Sequence, residues 1–283
     1  MPRTARPELA QPRSAVVTGG SRGIGRATAA ALVDRGYHVV ITGLDGARAV
    51  ATAAEIGAVR GLQQDVTVES SHDAIAREAR SYAPLAAWFS NAGVGFEGAA
   101  GDQPSDQVRA LVDVNLLGVL WGARAAVRAM REQAQAGESR GGDIVLTSSL
   151  SAHGPVPGLS VYAATKAALL SLASSMQVEL RTEGIRVHAI CPDGVDTGMV
   201  AQFEPGGRAS GLIHSGGRLL SVEEVAEAMV AMIGSRRVYR TLPAWRGSLL
   251  RLTQVSPGPM MRFEPVLRRF GNRVAARTEH RPR

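Results

Sequence analysis

The chain has 283 residues, of which 45% are hydrophobic and 20% charged, and its formal net charge is +7. This profile predicts one main soluble domain and excludes two large domains or a disordered chain. The single cysteine, Cys191, excludes an internal disulfide; the Arg- and Pro-containing start lacks a signal-peptide core, and no apolar run suggests a membrane-spanning helix, so we expect a cytoplasmic protein.

Short β-branched runs alternate with amphipathic or alanine-rich stretches along most of the chain. The predicted strands are 15–19, 37–43, 58–65, 85–93, 143–149 and 185–191. Strands that alternate with helices predict an α/β fold, a single doubly wound parallel sheet with helices on both faces. We expect this domain over 14–243, after a flexible N-terminal tail at 1–13.

A glycine-rich stretch, Thr18-Gly-Gly-Ser-Arg-Gly-Ile-Gly25, follows the first strand and opens a helix predicted from about Gly23 to Arg35. Glycines let the backbone turn tightly and approach a pyrophosphate, whose charge would then lie at the positive helix N-terminus. A glycine-rich turn that binds no nucleotide is the alternative.

Tyr162 and Lys166 form the second motif, and Lys166 is the only lysine among 32 basic residues. In a helix over 160–182 the two side chains project side by side. A neighbouring ammonium is expected to lower the pKa of the phenol and make it a general acid or base. A guanidinium is too wide for the same space, although chance sharing of a helix face is the alternative.

Together these motifs resemble the short-chain dehydrogenase/reductase family over roughly residues 14 to 235. The resemblance rests on Gly-x-x-x-Gly-x-Gly, on Ser90-Asn-Ala-Gly93 after the fourth strand, and on Tyr-x-x-x-Lys. It implies a Rossmann-type sheet and hydride transfer between a nicotinamide and a carbonyl/alcohol pair. The catalytic residues that it implies are Ser149, Tyr162, Lys166 and Asn115.

Each catalytic position carries a role within this resemblance. Tyr162 would pass the proton, Lys166 would tune Tyr162 and bind ribose, and Ser149 would hold the substrate oxygen, with Ser148 as the adjacent rival. Asn115 would hold a helix kink and a water, although a buried structural amide satisfied by backbone is the alternative.

Cofactor contacts follow from the same resemblance. The implied residues are Gly19, Ser21, Arg22, Gly23, Ile24, Gly25, Asp65, Val66, Asn91, Ala92, Gly93, Tyr162, Lys166, Pro192, Val195 and Thr197. Asp65 has a turn or cap as its alternative. Asp193 stands where the family usually has glycine, which leaves the contacts of the following loop open.

The choice between NADP and NAD depends on the end of the second strand. It reads Gly43-Leu44-Asp45, without the arginine that often follows in NADP-binding members, and Asp45 could be a helix N-cap. Arg22 in the glycine-rich stretch can meet a 2′-phosphate. We predict NADP(H), with NAD(H) as the alternative.

The substrate is expected to lie against a loop at about 195–220, whose glycine-rich part, 203–220, suits a mobile loop or lid. Apolar residues predict a lipophilic small-molecule substrate. The predicted pocket residues are Leu150, His153, Val156, Met199 and Leu212, although a loop histidine is as often solvated. The histidines show no paired ligand spacing, so no metal site is predicted.

A basic C-terminal extension, 244–283, departs from the family pattern. Between Trp245 and Arg283 there are nine arginines and two glutamates, which account for the whole net charge. Apolar and basic residues interleave there, which predicts a packed arm with a basic tail, a cover for the substrate cleft, or weak contact with an anionic membrane surface. Aromatic platforms are absent from the basic stretches, so no nucleic-acid binding is predicted.

The resemblance also implies a homodimer or homotetramer. Two alternatives to a small-molecule enzyme stay open: a dinucleotide-binding regulator or scaffold without turnover, and an enzyme that acts on a carrier-tethered acyl group.

Overall fold

The structure is a computed structural model that describes residues 11–204, 207–255 and 257–279. Ten residues of the predicted N-terminal tail, two of the predicted substrate loop and five of the C-terminal extension lie outside these ranges.

Parallel strands form one sheet at the centre of the protein. They are Ser14–Val17 (β1), His38–Gly43 (β2), Arg60–Gln63 (β3), Leu85–Ser90 (β4), Gly142–Thr147 (β5), Ile185–Pro192 (β6) and Tyr239–Leu242 (β7). Their order across the sheet is β3-β2-β1-β4-β5-β6-β7, and each neighbouring pair is parallel. The predicted fold class is confirmed.

Helices cover both faces of this sheet. They are Gly23–Asp34 (α1), Gly46–Ile56 (α2), Glu69–Tyr82 (α3), Ser105–Val112 (α4), Gly118–Gln135 (α5), Ser160–Glu179 (α6), Arg208–Ile213 (α7), Val222–Val230 (α8), Ala244–Val255 (α9) and Pro257–Glu279 (α10). Side chains of β1 alternate between two buried clusters, with Val16 in one and Val17 in the other. The first cluster includes α3, α5 and α6, and the second α1, α2 and α8, so the sheet is buried on both sides.

One stretch corrects the expectation that no segment is long and apolar enough to cross a membrane. The continuous helical run Ser105–Gln135 meets that criterion by length and composition, and half of its most apolar window is buried inside the protein. Its α5 part contributes Val119, Ala123 and Met130 to the first cluster. A core helix of a globular protein passes the same test, because its inward face is apolar.

Among the elements that were not predicted from the sequence are the seventh strand and α7. The seventh strand, Tyr239–Leu242, is a half-buried edge strand whose polar residues hide the strand pattern. The predicted mobile loop contains the short helix α7, so part of this segment is regular.

The connections after the central strands all leave the sheet at its carboxyl edge. All strands are parallel, but the side of β1 on which successive strands are added changes after β3: β2 and β3 lie on one side of β1, and β4 to β7 lie on the other. Ligands of open parallel sheets bind in the crevice that forms at this reversal. The candidate site lies there.

Candidate active site

A cavity of about 830 Å³ opens at the carboxyl edge of the sheet. It is lined by residues that follow β1, β2, β3, β4, β5 and β6. Of the predicted site residues, it brings together Gly19, Ser21, Arg22, Gly23, Ile24, Asp65, Val66, Asn91, Ala92, Gly93, Ser149, Leu150, Val156, Tyr162, Lys166, Pro192, Val195, Thr197, Met199 and Leu212. Gly25, Asn115 and His153 are not part of this lining.

The glycine-rich stretch forms a backbone cradle between β1 and α1. Gly19 has φ +63°, a backbone conformation that residues other than glycine rarely adopt. A Cβ on Gly25 would collide with the carbonyl oxygen of Gly19 and lie 2.5 Å from Nδ2 of Asn91. Gly25 therefore lets α1 approach the preceding turn. Gly23 and Ile24, the first residues of α1, line the cavity, and a helix N-terminus is suited to bind a pyrophosphate.

Thr18 is a residue whose role the sequence analysis missed, although it begins the glycine motif. Its hydroxyl oxygen accepts hydrogen bonds from the backbone N–H groups of Asn91, at 3.0 Å, and Ala92, at 3.1 Å. Nδ2 of Asn91 in turn donates to the carbonyl oxygen of Thr18, at 3.1 Å. These bonds tie the start of the cradle to the end of β4.

Two carboxylates that line the cavity after β2 and β3, Asp45 and Asp65, already accept hydrogen bonds from the chain. Asp65 accepts hydrogen bonds from the backbone N–H of Thr67, at 2.9 Å, and from its hydroxyl, at 2.7 Å. Asp65 thus forms a turn while also lining the cavity. Asp45 is the N-cap of α2 and accepts from the backbone N–H of Arg48, at 2.9 Å.

Ser149, Tyr162 and Lys166 come together on the far side of the cavity. Ser149 follows β5, and the other two lie one turn apart on α6. The Ser149 side chain lies close enough to the Tyr162 phenol to lower its pKa. Nζ of Lys166 lies 5.6 Å from the centre of the Tyr162 ring and donates to the carbonyl oxygen of Thr147, at 2.8 Å.

The neighbouring serine, Ser148, has a different environment. Its side chain is buried, and its hydroxyl donates to the backbone carbonyl of Lys166, at 2.8 Å. Ser149 instead accepts from the backbone N–H of Ser151, at 3.2 Å, and meets the phenol. Of the two serines, Ser149 has the position from which a hydroxyl can meet a substrate oxygen beside Tyr162.

The pKa of Tyr162 corrects one expectation. Burial raises the pKa of this phenol to about 12, and the neighbouring Ser149 side chain offsets only part of that rise. Burial also lowers the pKa of Lys166 to about 8, because the ammonium loses water. The sequence argument counted the attraction of the cation for a phenolate and left out the larger cost of burying charge.

Asn115 lies in a π-helical turn, Asp113–Leu117, that joins α4 and α5. Its fully buried amide accepts from the backbone N–H of Val94 and donates to the carbonyl of Val94, both at 2.9 Å. The backbone therefore satisfies this amide on both sides. The irregular turn agrees with the predicted helix kink, since π-turns interrupt α-helices.

His153 lies away from the cavity lining, contrary to its predicted place in the substrate pocket. Its side chain is buried, and Nε2 is 3.1 Å from the hydroxyl of Thr241 on β7. Burial and the charge of Arg251 lower the pKa of His153 to about 4, which keeps the ring neutral. Position four residues after Ser149 could not indicate this, because the partner strand is distant in sequence.

Further lining residues were not named individually in the sequence analysis, although they come from segments that it considered for the substrate: the stretch after Ser149, the loop at 195–220 and the C-terminal extension. Among them are Pro155, Leu159, Phe203, Arg246, Leu250 and Leu267. The last three belong to α9 and α10, which places the C-terminal extension against the cavity.

A family model described as short chain dehydrogenase matches residues 13–206. This range contains the glycine cradle, Asn91, Ser149, Tyr162 and Lys166. It ends before α7, so the last part of the cavity wall lies outside the match.

Proteins similar to this chain include bacterial and fungal relatives. Probable oxidoreductase EphD of Mycobacterium tuberculosis is 31% identical over 258 residues, which is 85% of this chain and 43% of that protein, so the chain spans less than half of the relative. Short-chain dehydrogenase fogB of Aspergillus ruber is 32% identical over 255 residues, covering 81% of this chain and 92% of the relative.

A solved structure with the same architecture is 3-ketoacyl-(acyl-carrier-protein) reductase from Brucella melitensis, complexed with NADH. It aligns with a TM-score of 0.70 at 29% identity, over 78% of this chain and 90% of that chain.

Proposed function

Since the chain belongs to the short-chain dehydrogenase family, we propose that it interconverts a carbonyl compound and the corresponding alcohol. It is an NAD(P)-dependent oxidoreductase with a Rossmann-type fold. The observation that carries the proposal is the meeting of Ser149, Tyr162 and Lys166 in the same cavity as the glycine cradle.

The bound dinucleotide would supply the hydride, and the chain would handle the oxygen and the proton. In the reducing direction, the Tyr162 hydroxyl donates its proton to the carbonyl oxygen. The Ser149 hydroxyl donates a hydrogen bond to the same oxygen as its negative charge develops. Both side chains line the same cavity.

Lys166 would hold the ribose next to Tyr162. Its ammonium has three donors, and one of them is used by the carbonyl oxygen of Thr147. Two donors are left for ribose hydroxyl groups above the phenol. Asn115 would act only through the backbone at Val94, since both of its amide groups bond there.

The decisive experiment is NADPH oxidation by the purified protein against steroids, quinones, aliphatic ketones and sugars. The apolar side chains of Leu150, Val156, Met199 and Leu212 line the cavity, which supports a lipophilic substrate. We expect turnover with ketones or quinones. Turnover of small hydrophilic sugars alone would reject the lipophilic substrate, and turnover of no carbonyl compound at all would favour the scaffold alternative.

We assign NADP(H) as the preferred cofactor because two arginines line the cavity together with the residues that follow β2, where the adenosine ribose would lie. Arg22 and Arg48 line the cavity, and within the described part of the chain neither guanidinium forms an ion pair. The Asp45 carboxylate that could repel a 2′-phosphate is held as a helix cap. NAD(H) stays the alternative, since the Brucella structure contains NADH.

Removing these cations should weaken NADPH use specifically. We expect Arg22→Ala and Arg48→Ala each to lower kcat/KM for NADPH by about 10-fold, since a hydrogen bond to a charged group contributes ~1.5 kcal/mol. The value for NADH should stay within about 3-fold of wild type, because NADH lacks the phosphate. Arg26→Ala is the matched control, since Arg26 pairs with Glu55 outside the cavity lining. A wild-type protein with the higher kcat/KM for NADH would refute the assignment.

A homodimer or homotetramer and a cytoplasmic location are further proposals that follow the family. Light scattering coupled to gel filtration measures the first, and fractionation of the source cells measures the second.

We also propose weak contact between the C-terminal extension and an anionic membrane surface. Four apolar side chains of α9 and α10 are more than half exposed: Trp245, Leu252, Val266 and Phe270. Exposed arginines accompany them at 251, 262, 269 and 273. Apolar side chains among arginines favour the interface of an anionic bilayer.

Vesicle sedimentation tests this contact. We expect Trp245→Ser/Phe270→Ser to bind vesicles of anionic lipid roughly 100-fold less than wild type, because each of the two buried apolar side chains contributes ~1.5 kcal/mol. Val50→Ser/Val178→Ser changes exposed apolar residues outside the extension and should bind like wild type. The proposal would be contradicted if wild type bound zwitterionic vesicles as strongly as anionic ones. It would also be contradicted if the two double variants bound anionic vesicles equally.

A further inference from the structure

The substrate end of the cavity has a wall built by the C-terminal extension. Arg246 and Leu250 of α9 and Leu267 of α10 line the cavity. α9 packs against β7 and against the helical turn Leu150–His153, which directly follows Ser149. The wall therefore stands beside the position where the substrate carbonyl would lie, although it is outside the family match.

A buried ion pair fastens this wall to the sheet. Nη1 of Arg246 donates to Oδ2 of Asp193 at 2.6 Å, and Nη2 donates to the hydroxyl of Ser215 at 2.8 Å. The two charged side chains are 13% and 10% exposed. We call Asp193, Ser215 and Arg246 the latch, because it joins the end of β6, the substrate loop and α9.

The charge balance of the latch explains why both partners are needed. Burial raises the pKa of Asp193, and the positive charge of Arg246 opposes that rise. A buried charge without its partner is costly, since it has lost water and gained nothing in exchange. Asp193 is also the residue that replaces the usual glycine of the family, so the departure in sequence coincides with the contact to the extension.

Close helix packing holds the second part of the wall. α10 lies against α7, and a Cβ on Gly271 would collide with the carbonyl oxygen of Gly211. The two helices meet backbone to backbone at this point. The approach brings Leu267 to the same cavity that Leu212 of α7 lines.

We propose that Leu250 and Leu267 determine which substrates the site accepts, and that the latch positions Leu250. The inference rests on the proposed carbonyl–alcohol function. With Ser149 and Tyr162 holding the oxygen, the rest of the substrate extends along an apolar wall that carries no free charge among its described residues, since Arg246 is paired. The substrate class is a ketone or alcohol with an extended aliphatic or ring portion.

A homologous series of methyl ketones tests the wall with wild type and three variants. We expect Leu267→Trp to lower kcat/KM for the longest ketone relative to the shortest by about 10-fold, since it fills space that methylene groups would occupy. Leu250→Ala should shift the preferred length upward because it enlarges the cavity. Leu249→Ala is the control: the same deletion on the same helix, at a side chain that is 45% exposed and outside the lining.

Asp193→Asn tests the latch. It keeps the shape of the side chain and removes its charge. We expect the ratio of kcat/KM between the longest and shortest ketones to fall about 10-fold, mainly through KM for the longest, because α9 and its leucine lose their fixed position. A uniform loss for every chain length, which a purely structural role would produce, would overturn the positioning role.

The outcomes separate this inference from the function beneath it. If wild type reduces no carbonyl compound, the proposed function fails. If wild type turns over ketones but Leu250→Ala and Leu267→Trp keep its length preference, the function stands and the wall does not select the substrate.

Discussion

We expect Tyr162→Phe to bind NADPH like the wild-type protein and to reduce its carbonyl substrate roughly 1,000-fold more slowly, because a positioned general acid contributes on this scale. The phenyl ring keeps its place near Lys166, where the ammonium lies 5.6 Å from the ring centre. Only the hydroxyl disappears. The measurement is kcat/KM for the best ketone, beside the Kd for NADPH.

Tyr82→Phe is a suitable control for this variant. The Tyr82 hydroxyl donates to Glu78 on the exposed side of α3, so its loss should leave turnover unchanged. Retention of more than a tenth of wild-type activity by Tyr162→Phe would mean that another group passes the proton.

Lys166→Arg should lower kcat/KM about 100-fold although it preserves the charge, since a misplacement near 1 Å at a reacting centre costs this much. The Lys166 side chain is 4% exposed, and its ammonium is fixed by the carbonyl oxygen of Thr147. A planar guanidinium is wider and presents its donors in a fixed fork.

The reverse exchange on the surface, Arg77→Lys on α3, is the control and should be silent. Lys166→Met separates charge from shape: if charge alone mattered, the Arg variant would keep activity that the Met variant loses.

The pKa of Lys166 can be measured directly. Because Lys166 is the only lysine, carbon-13 lysine labels this one side chain. Its resonance should titrate near pH 8 rather than near the ordinary 10.5, because burial destabilises the ammonium. Titration at the ordinary value would refute the burial argument.

The sequence was sufficient for features that depend on local spacing. Tyr162 and Lys166 are four residues apart in a helix, and Ser149 ends a strand of the expected sheet, so their meeting followed from element type and register. The same holds for the cradle, where glycines at fixed offsets mark the turn between β1 and α1. In both cases short-range geometry determines the result.

Features that depend on distant partners were out of reach. His153 turns toward Thr241, 88 residues away, and nothing near it in sequence indicates this. The use of Arg246 as a partner for Asp193 likewise spans 53 residues. The Tyr162 pKa was misjudged for a related reason, since the energetic effect of burial depends on everything packed around the ring.

Burial of the Tyr162 phenol gives the two directions of the reaction different requirements. At rest and near neutral pH the hydroxyl retains its proton, since its pKa is about 12. Hydride delivery to a ketone can start from that state. Dehydrogenation of an alcohol needs Tyr162 as a base, so the phenol must first lose its proton. The rate of this direction should therefore increase more with rising pH than the rate of ketone reduction does.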